Sequence, residues 1–153
     1  MKAHIGVDAD SGLIHSVVGT AANVSDVSQA HALLHGHEEQ VFADAGYIGV
    51  DKREEMAGKA VKWHVAARRG KIKAMQEGAL KDLVIALERT KAQIRSRVEH
   101  PFHIVKNLFQ HRKTRYKGLA KNTAQLFSLF ALANLVIARN LLRSVHGSSP
   151  SCV

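Results

Sequence analysis

The chain has 153 residues, with 22 Lys+Arg against 13 Asp+Glu and a formal net charge of +9. Hydrophobic residues make up 46% and charged residues 23%, a balance that fits one folded domain and excludes a disordered chain. The single cysteine, Cys152, excludes a disulfide framework and a multi-cysteine zinc site, and fits a reducing, cytoplasmic compartment.

In chain order, Ala3, Ile5 and Val7 alternate with Lys2, His4 and Gly6, the period of a strand. Asp8-Ala9-Asp10-Ser11-Gly12 is turn-rich, and Leu13 to Val18 reads as the returning strand of a hairpin. Asn23-Val24-Ser25-Asp26 starts a helix carrying Val27, Ala30, Leu33 and Leu34, stopped at Gly36. Gln40 to Ala43 is a short apolar strand. Asp51 to Ala57 reads as a short helix closed by Gly58, and Val61 to Val65 as a further strand. Arg68 to Lys73 is expected as a basic loop. A long helix runs from about Leu80 through Val84, Leu87, Ile94 and Val98, and Pro101 is expected to break or kink it. Phe102, Val105, Leu108 and Phe109 continue helically, and residues 111–121 form a basic connection. A last helix covers about Asn122 to Arg143. Its apolar stretch, residues 126–138, is too short at 13 residues to span a bilayer. Residues 1–146 are expected as one mixed α/β domain with a helical C-terminal flank, and 147–153 as a disordered tail.

Charge is uneven. From Arg95 onward there are ten Lys+Arg and one acid, Glu99, which favours a polyanion partner. The densest run, His111-Arg112-Lys113-Thr114-Arg115-Tyr116-Lys117, offers Arg112, Lys113, Arg115 and Lys117 to phosphates and Tyr116 for stacking. Asp44 ends an apolar strand beside small residues, where a carboxylate suits a hard divalent cation; a turn-forming Asp fits the same pattern. Arg95, Glu99 and Lys106 fall on nearly one helical face, so that Glu99 serves either as a metal ligand among phosphate-holding cations or as the partner of Arg95 in an i, i+4 ion pair. Asp8 and Asp10 read as turn formers, and His31, His35 and His37 as a surface cluster. Phosphate-loop, dinucleotide and serine-hydrolase fingerprints are absent.

Several stretches together resemble the C-terminal part of a DDE transposase from a bacterial insertion sequence, in the insertion-sequence-five group. They are Met1-Lys2-Ala3-His4-Ile5-Gly6-Val7-Asp8, Val41-Phe42-Ala43-Asp44-Ala45-Gly46-Tyr47, Arg95 to Phe102 continuing to Lys106, Tyr116 to Asn122, and Ala133-Asn134-Leu135. The family signature of Tyr, two residues, Arg, three, Glu, six and Lys fits Arg95, Glu99 and Lys106, with Ala92 at the Tyr position. The resemblance implies an incomplete ribonuclease-H-like fold lacking its first strand, in which Asp44 and Glu99 are the second and third catalytic, metal-binding carboxylates. It implies Mg2+ or Mn2+ as cofactor. The implied partners are DNA at insertion-sequence ends and another copy or an intact transposase, with no membrane.

The first carboxylate of the family has no counterpart here, so the chain is expected to be a truncated transposase, inactive in metal-dependent DNA cleavage and strand transfer. The alternatives are a non-catalytic basic DNA-binding protein and a small nuclease using Asp8 or Asp10 instead.

Overall fold

Strands β1 (Lys2–Val7) and β2 (Ile14–Thr20) pair antiparallel, with Ile5 opposite Val17 and a bulge at Gly6/Val7. The structure is a computed structural model and describes residues 1–145, so the expected tail and Cys152 lie outside the described residues. The hairpin turn closes as expected. Asp8 Oδ1 accepts from the Ser11 N–H at 2.7 Å and the Ser11 hydroxyl at 2.6 Å, and Gly12 takes φ +72°. Asp8 is thus committed to its turn.

The helix expected from Asn23 to Gly36 is a 3-10 turn over Asp26–Gln29 followed by one turn of α-helix, α1 (Ala30–Leu33). Ala30 and Leu33 are its buried residues. Strand β3 (Gln40–Ala43) pairs parallel with β4 (Lys62–Val65), with Phe42 opposite His64 and their rings stacked at 4.7 Å. The crossover between them contains 3-10 turns at Ala45–Tyr47, Val50–Lys52 and Glu54–Met56, where a short helix was expected. Met56 and Val50 anchor it inward.

The basic segment expected as a loop is helical, α2 (Arg69–Lys73). Helix α3 (Ala79–His103) follows and runs through Pro101 instead of breaking there. Pro101 is buried, and beyond it the chain continues as a π-helix, Ile104–Leu108. Leu80, Leu83 and Leu87, at the start of α3, are exposed rather than core. Glu88 ties α3 to the end of β4 by accepting from the Ala67 N–H at 3.0 Å and pairing with Lys91 at 2.7 Å.

Helix α4 (Leu119–Val145) buries Asn122, Leu126, Phe130, Ala133 and Ile137, one face at helical spacing. That face packs on β2, where Gly19 lets Thr123 approach closely. The span Leu119–Ser144 has the length and apolar composition of a membrane-crossing helix, more than the 13-residue run suggested, and Phe127, Leu135 and Leu142 are exposed on its outer side.

Two cores result. The larger joins β1, β2, the π-helix and α4 through Ile5, Ile14, Ile104, Val105, Phe130 and Ile137. The smaller joins α1, β4 and the crossover through Ala30, Val50, Met56 and Trp63. Each two-stranded sheet therefore has its own core.

Candidate active-site groove

β1 has β2 on one edge and β3 has β4 on one edge; among the described residues neither strand has a second strand partner. Every residue of β1 and of β3 lines one cavity of about 690 Å³, to which α1 adds Ala30 and Leu33 and α3 adds Ile94, Val98 and Phe102. Asp26 fixes the relative direction of the two strands. It pairs with Lys2, at the start of β1, at 3.2 Å, and its turn contacts the Ala45–Tyr47 turn just after β3. At the other end, His15 lies against Gly6 near the end of β1, and its ring contacts that of His35, shortly before β3 begins. The two strands thus run antiparallel across the groove.

Asp44, Glu99 and Arg95 all line this cavity. Asp44 is exposed and caps the turn after β3, its Oδ1 accepting from the Gly46 N–H at 2.8 Å. A side chain at Gly46 would crowd that oxygen, since a Cβ there lies 3.0 Å from it. The second carboxylate oxygen of Asp44 has no partner among the described residues. Glu99, exposed on α3, has no hydrogen bond or ion pair among the described residues, so the i, i+4 pair with Arg95 that the spacing allows is not made. One free oxygen on Asp44 and the Glu99 carboxylate, both lining the cavity, are the hard oxygen donors a divalent cation takes. Among the described residues, neither carboxylate belongs to a group of three His, Cys, Asp or Glu within ligand distance of one another.

Lys106 does not line the cavity. The π turn changes the helical phase at Lys106, which lies 5.8 Å from the centroid of the Phe102 ring, and Phe102 lines the groove. Arg112, Lys113, Arg115 and Lys117 are exposed on the connection before α4. Arg112 is anchored to the Lys106 carbonyl at 3.4 Å. Asn122 shapes the same connection: its amide donates to the Tyr116 and Gly118 carbonyls at 2.6 and 2.7 Å and accepts from the Tyr116 N–H. The Tyr116 side chain stays exposed.

Residues missed in the sequence complete the Asp44 end. His4 is buried, bonded to the Thr20 hydroxyl at 2.8 Å and 3.6 Å from Asp26. Tyr47 is pushed up to about 12 by burial, then by Asp26 and Asp44, and keeps its proton at neutral pH. Strand alternation puts Lys2 and His4 on one face, but nothing in the sequence pairs them with Asp26, more than twenty residues away.

Burial lowers His4 below its ordinary 6.5, Asp26 opposing this and Lys2 adding to it. Below 6.5 the unfolded chain therefore binds more protons than the folded one, and stability falls as the pH drops through the folded value. His15 and His111, also lowered first by burial, add to this slope. The melting temperature is expected to decline between pH 7 and pH 5, and His4→Gln to flatten that decline; an unchanged slope would contradict the assignment.

The family model described as a transposase DDE domain matches residues 1–135. No solved structure matches the chain.

Proposed function

We propose, for a chain that belongs to the transposase DDE domain family, that the groove is the site of metal-dependent DNA strand cleavage and strand transfer at insertion-sequence ends. The observation that carries this reading is the placement of Asp44, Glu99 and Arg95 on one cavity. Mg2+ or Mn2+ would be held by the free Asp44 oxygen and the Glu99 carboxylate. Once bound, it supplies Lewis-acid activation of a nucleophile and charge neutralisation at phosphorus. Arg95 holds a phosphate oxygen in the groove. Arg112, Lys113, Arg115 and Lys117 grip the DNA backbone outside it, and Tyr116 offers a stacking face.

The fit to the cation is incomplete. Three carboxylates are expected of this family, and two of them, Asp44 and Glu99, line the groove. The groove lies between two strand edges that have no strand partner among the described residues, a space suited to one further strand in a ribonuclease-H-like sheet. We assign the absent carboxylate to such a strand and read the 153-residue chain as inactive by itself, a fragment of an insertion-sequence-five-type transposase.

Paramagnetic Mn2+ tests the cation site directly. The amide signals of Gly46 and Glu99 are expected to broaden, and Asp44→Ala and Glu99→Ala each to remove the effect. Broadening that ignores both substitutions would overturn the assignment. Supercoiled plasmid incubated with the chain and Mg2+ is expected to remain uncut; nicking abolished by Asp44→Ala would show the chain to be active unaided.

DNA affinity is expected to fall with salt. Each alanine at Arg112, Lys113, Arg115 or Lys117 should reduce the log–log slope by about 1 without sequence preference. A slope unaffected by all four would remove them from the interface.

A further inference from the structure

At the end of the groove away from Asp44, three side chains from two parts of the fold converge. His15 comes from β2; His35 and Glu38 come from the connection between α1 and β3. One ligand atom from each lies within 4.8 Å of the others. The rings of His15 and His35 meet edge-on, with centroids 4.8 Å apart at 82°. His35 Nε2 and Glu38 Oε1 are 3.5 Å apart, close to the edge of a tetrahedron whose centre is about 2 Å from each ligand.

The surroundings hold these groups in place. His15 Nδ1 lies 3.0 Å from the Ser16 hydroxyl, and the Cε1–Nε2 edge of the ring lies over Gly6. Both Glu38 oxygens are oriented by backbone amides, Oε1 by His35 N–H at 2.6 Å and Oε2 by Gly36 N–H at 2.8 Å, and each keeps a lone pair. Gly6 supplies the clearance. A Cβ on it would lie 2.5 Å from His15 Cε1 and 2.7 Å from the Leu33 carbonyl, so only glycine lets the imidazole fold over β1 toward the α1–β3 connection.

We propose that His15, His35 and Glu38 form a site for Zn2+, with a fourth position open to water, that clips the β1–β2 sheet to the segment entering β3. Two imidazoles and one carboxylate are a zinc donor set, whereas Mg2+ prefers oxygen alone. Coordination through His35 Nε2 moves the ring proton to Nδ1, at the expense of the long 3.3 Å contact from the His37 N–H. The two sheets share no strand pairing among the described residues, so the ion would join them across the groove. The clip is independent of the Asp44–Glu99 reading. A sequence scan misses it because His15 and Glu38 are far apart and only His35 belongs to the histidine cluster.

Calorimetric titration of Zn2+ into the full chain, with Mg2+ in excess, tests the proposal. One equivalent is expected to bind and to raise the melting temperature by mass action. His15→Gln, at an exposed position, and Glu38→Gln, which keeps the side-chain shape, should each weaken binding by at least about tenfold, as even an outer-shell partner does. Circular dichroism of each variant verifies the fold. Gly6→Ala, which keeps all three ligands but displaces His15, should also weaken Zn2+ binding. Asp44→Ala with Glu99→Ala should leave it unchanged. No saturable binding, or binding that survives His15→Gln and is lost with His31→Ala and His37→Ala, overturns the clip.

Discussion

Phe130→Ala is expected to destabilise the chain by about 3–5 kcal/mol, the usual cost of removing a large aromatic from a packed core. Phe130 is 1% exposed in the larger core and meets Phe102 edge-to-face at 5.4 Å. Its loss removes apolar burial, an aromatic pair and the support of α4 against the π-helix. Chemical denaturation would read this as a lower midpoint at an unchanged slope. The effect should reach the groove, because Phe102 packs on Phe130 with one part of its surface and lines the cavity with another. Mn2+ broadening at Glu99 in the substituted protein should weaken at temperatures where its far-UV signal is still native. An unfolding free energy within about 1 kcal/mol of the parent would show that this core does not hold the helix pair.

The second large effect is expected at Asn134. Its side-chain amide donates to the Ile14 carbonyl and accepts from the Ile14 N–H, both at 2.8 Å, bonding the first residue of β2 as a neighbouring strand would. Asn134→Leu keeps the branched shape of the side chain and leaves a buried N–H and a buried C=O unpaired, at about 1–3 kcal/mol each. Leu135→Gln, one residue on but 67% exposed, is expected to change stability by less than about 0.5 kcal/mol. Urea unfolding of the two variants side by side decides it. Equal midpoints would mean that the amide does not carry the hairpin edge.

These residues explain why the resemblance was legible. Ala133-Asn134-Leu135 and Tyr116 to Asn122 are recognisable because each holds a backbone segment: Ala133 is fully buried, Asn134 holds β2, and Asn122 holds the turn before α4. The strands were legible from period-two alternation, and the long helices from apolar spacing. The short crossover turns were not, because three-residue 3-10 turns carry too few residues to show a period. Arg68 to Lys73 read as a loop from charge, yet its basic side chains are solvated whether the backbone is helical or not. Pro101 read as a break because local rules do not register that burial and a π turn can carry the helix past it. The placement of Asp44 and Glu99 on one cavity, and of Asp26 beside Lys2 and His4, depends on long-range packing that no single-sequence pattern encodes.

The opposed directions of β1 and β3 give the groove a polarity. A backbone lying between them must run with one wall and against the other. The wall it matches in direction offers evenly spaced, slanted partners, and the wall it opposes offers alternating close and wide pairs. Reversing such a guest swaps those two demands, and sliding it by one residue turns its inward side chains from the α1 side to the α3 side. The cleft therefore discriminates by heading and by register before any side-chain chemistry is consulted.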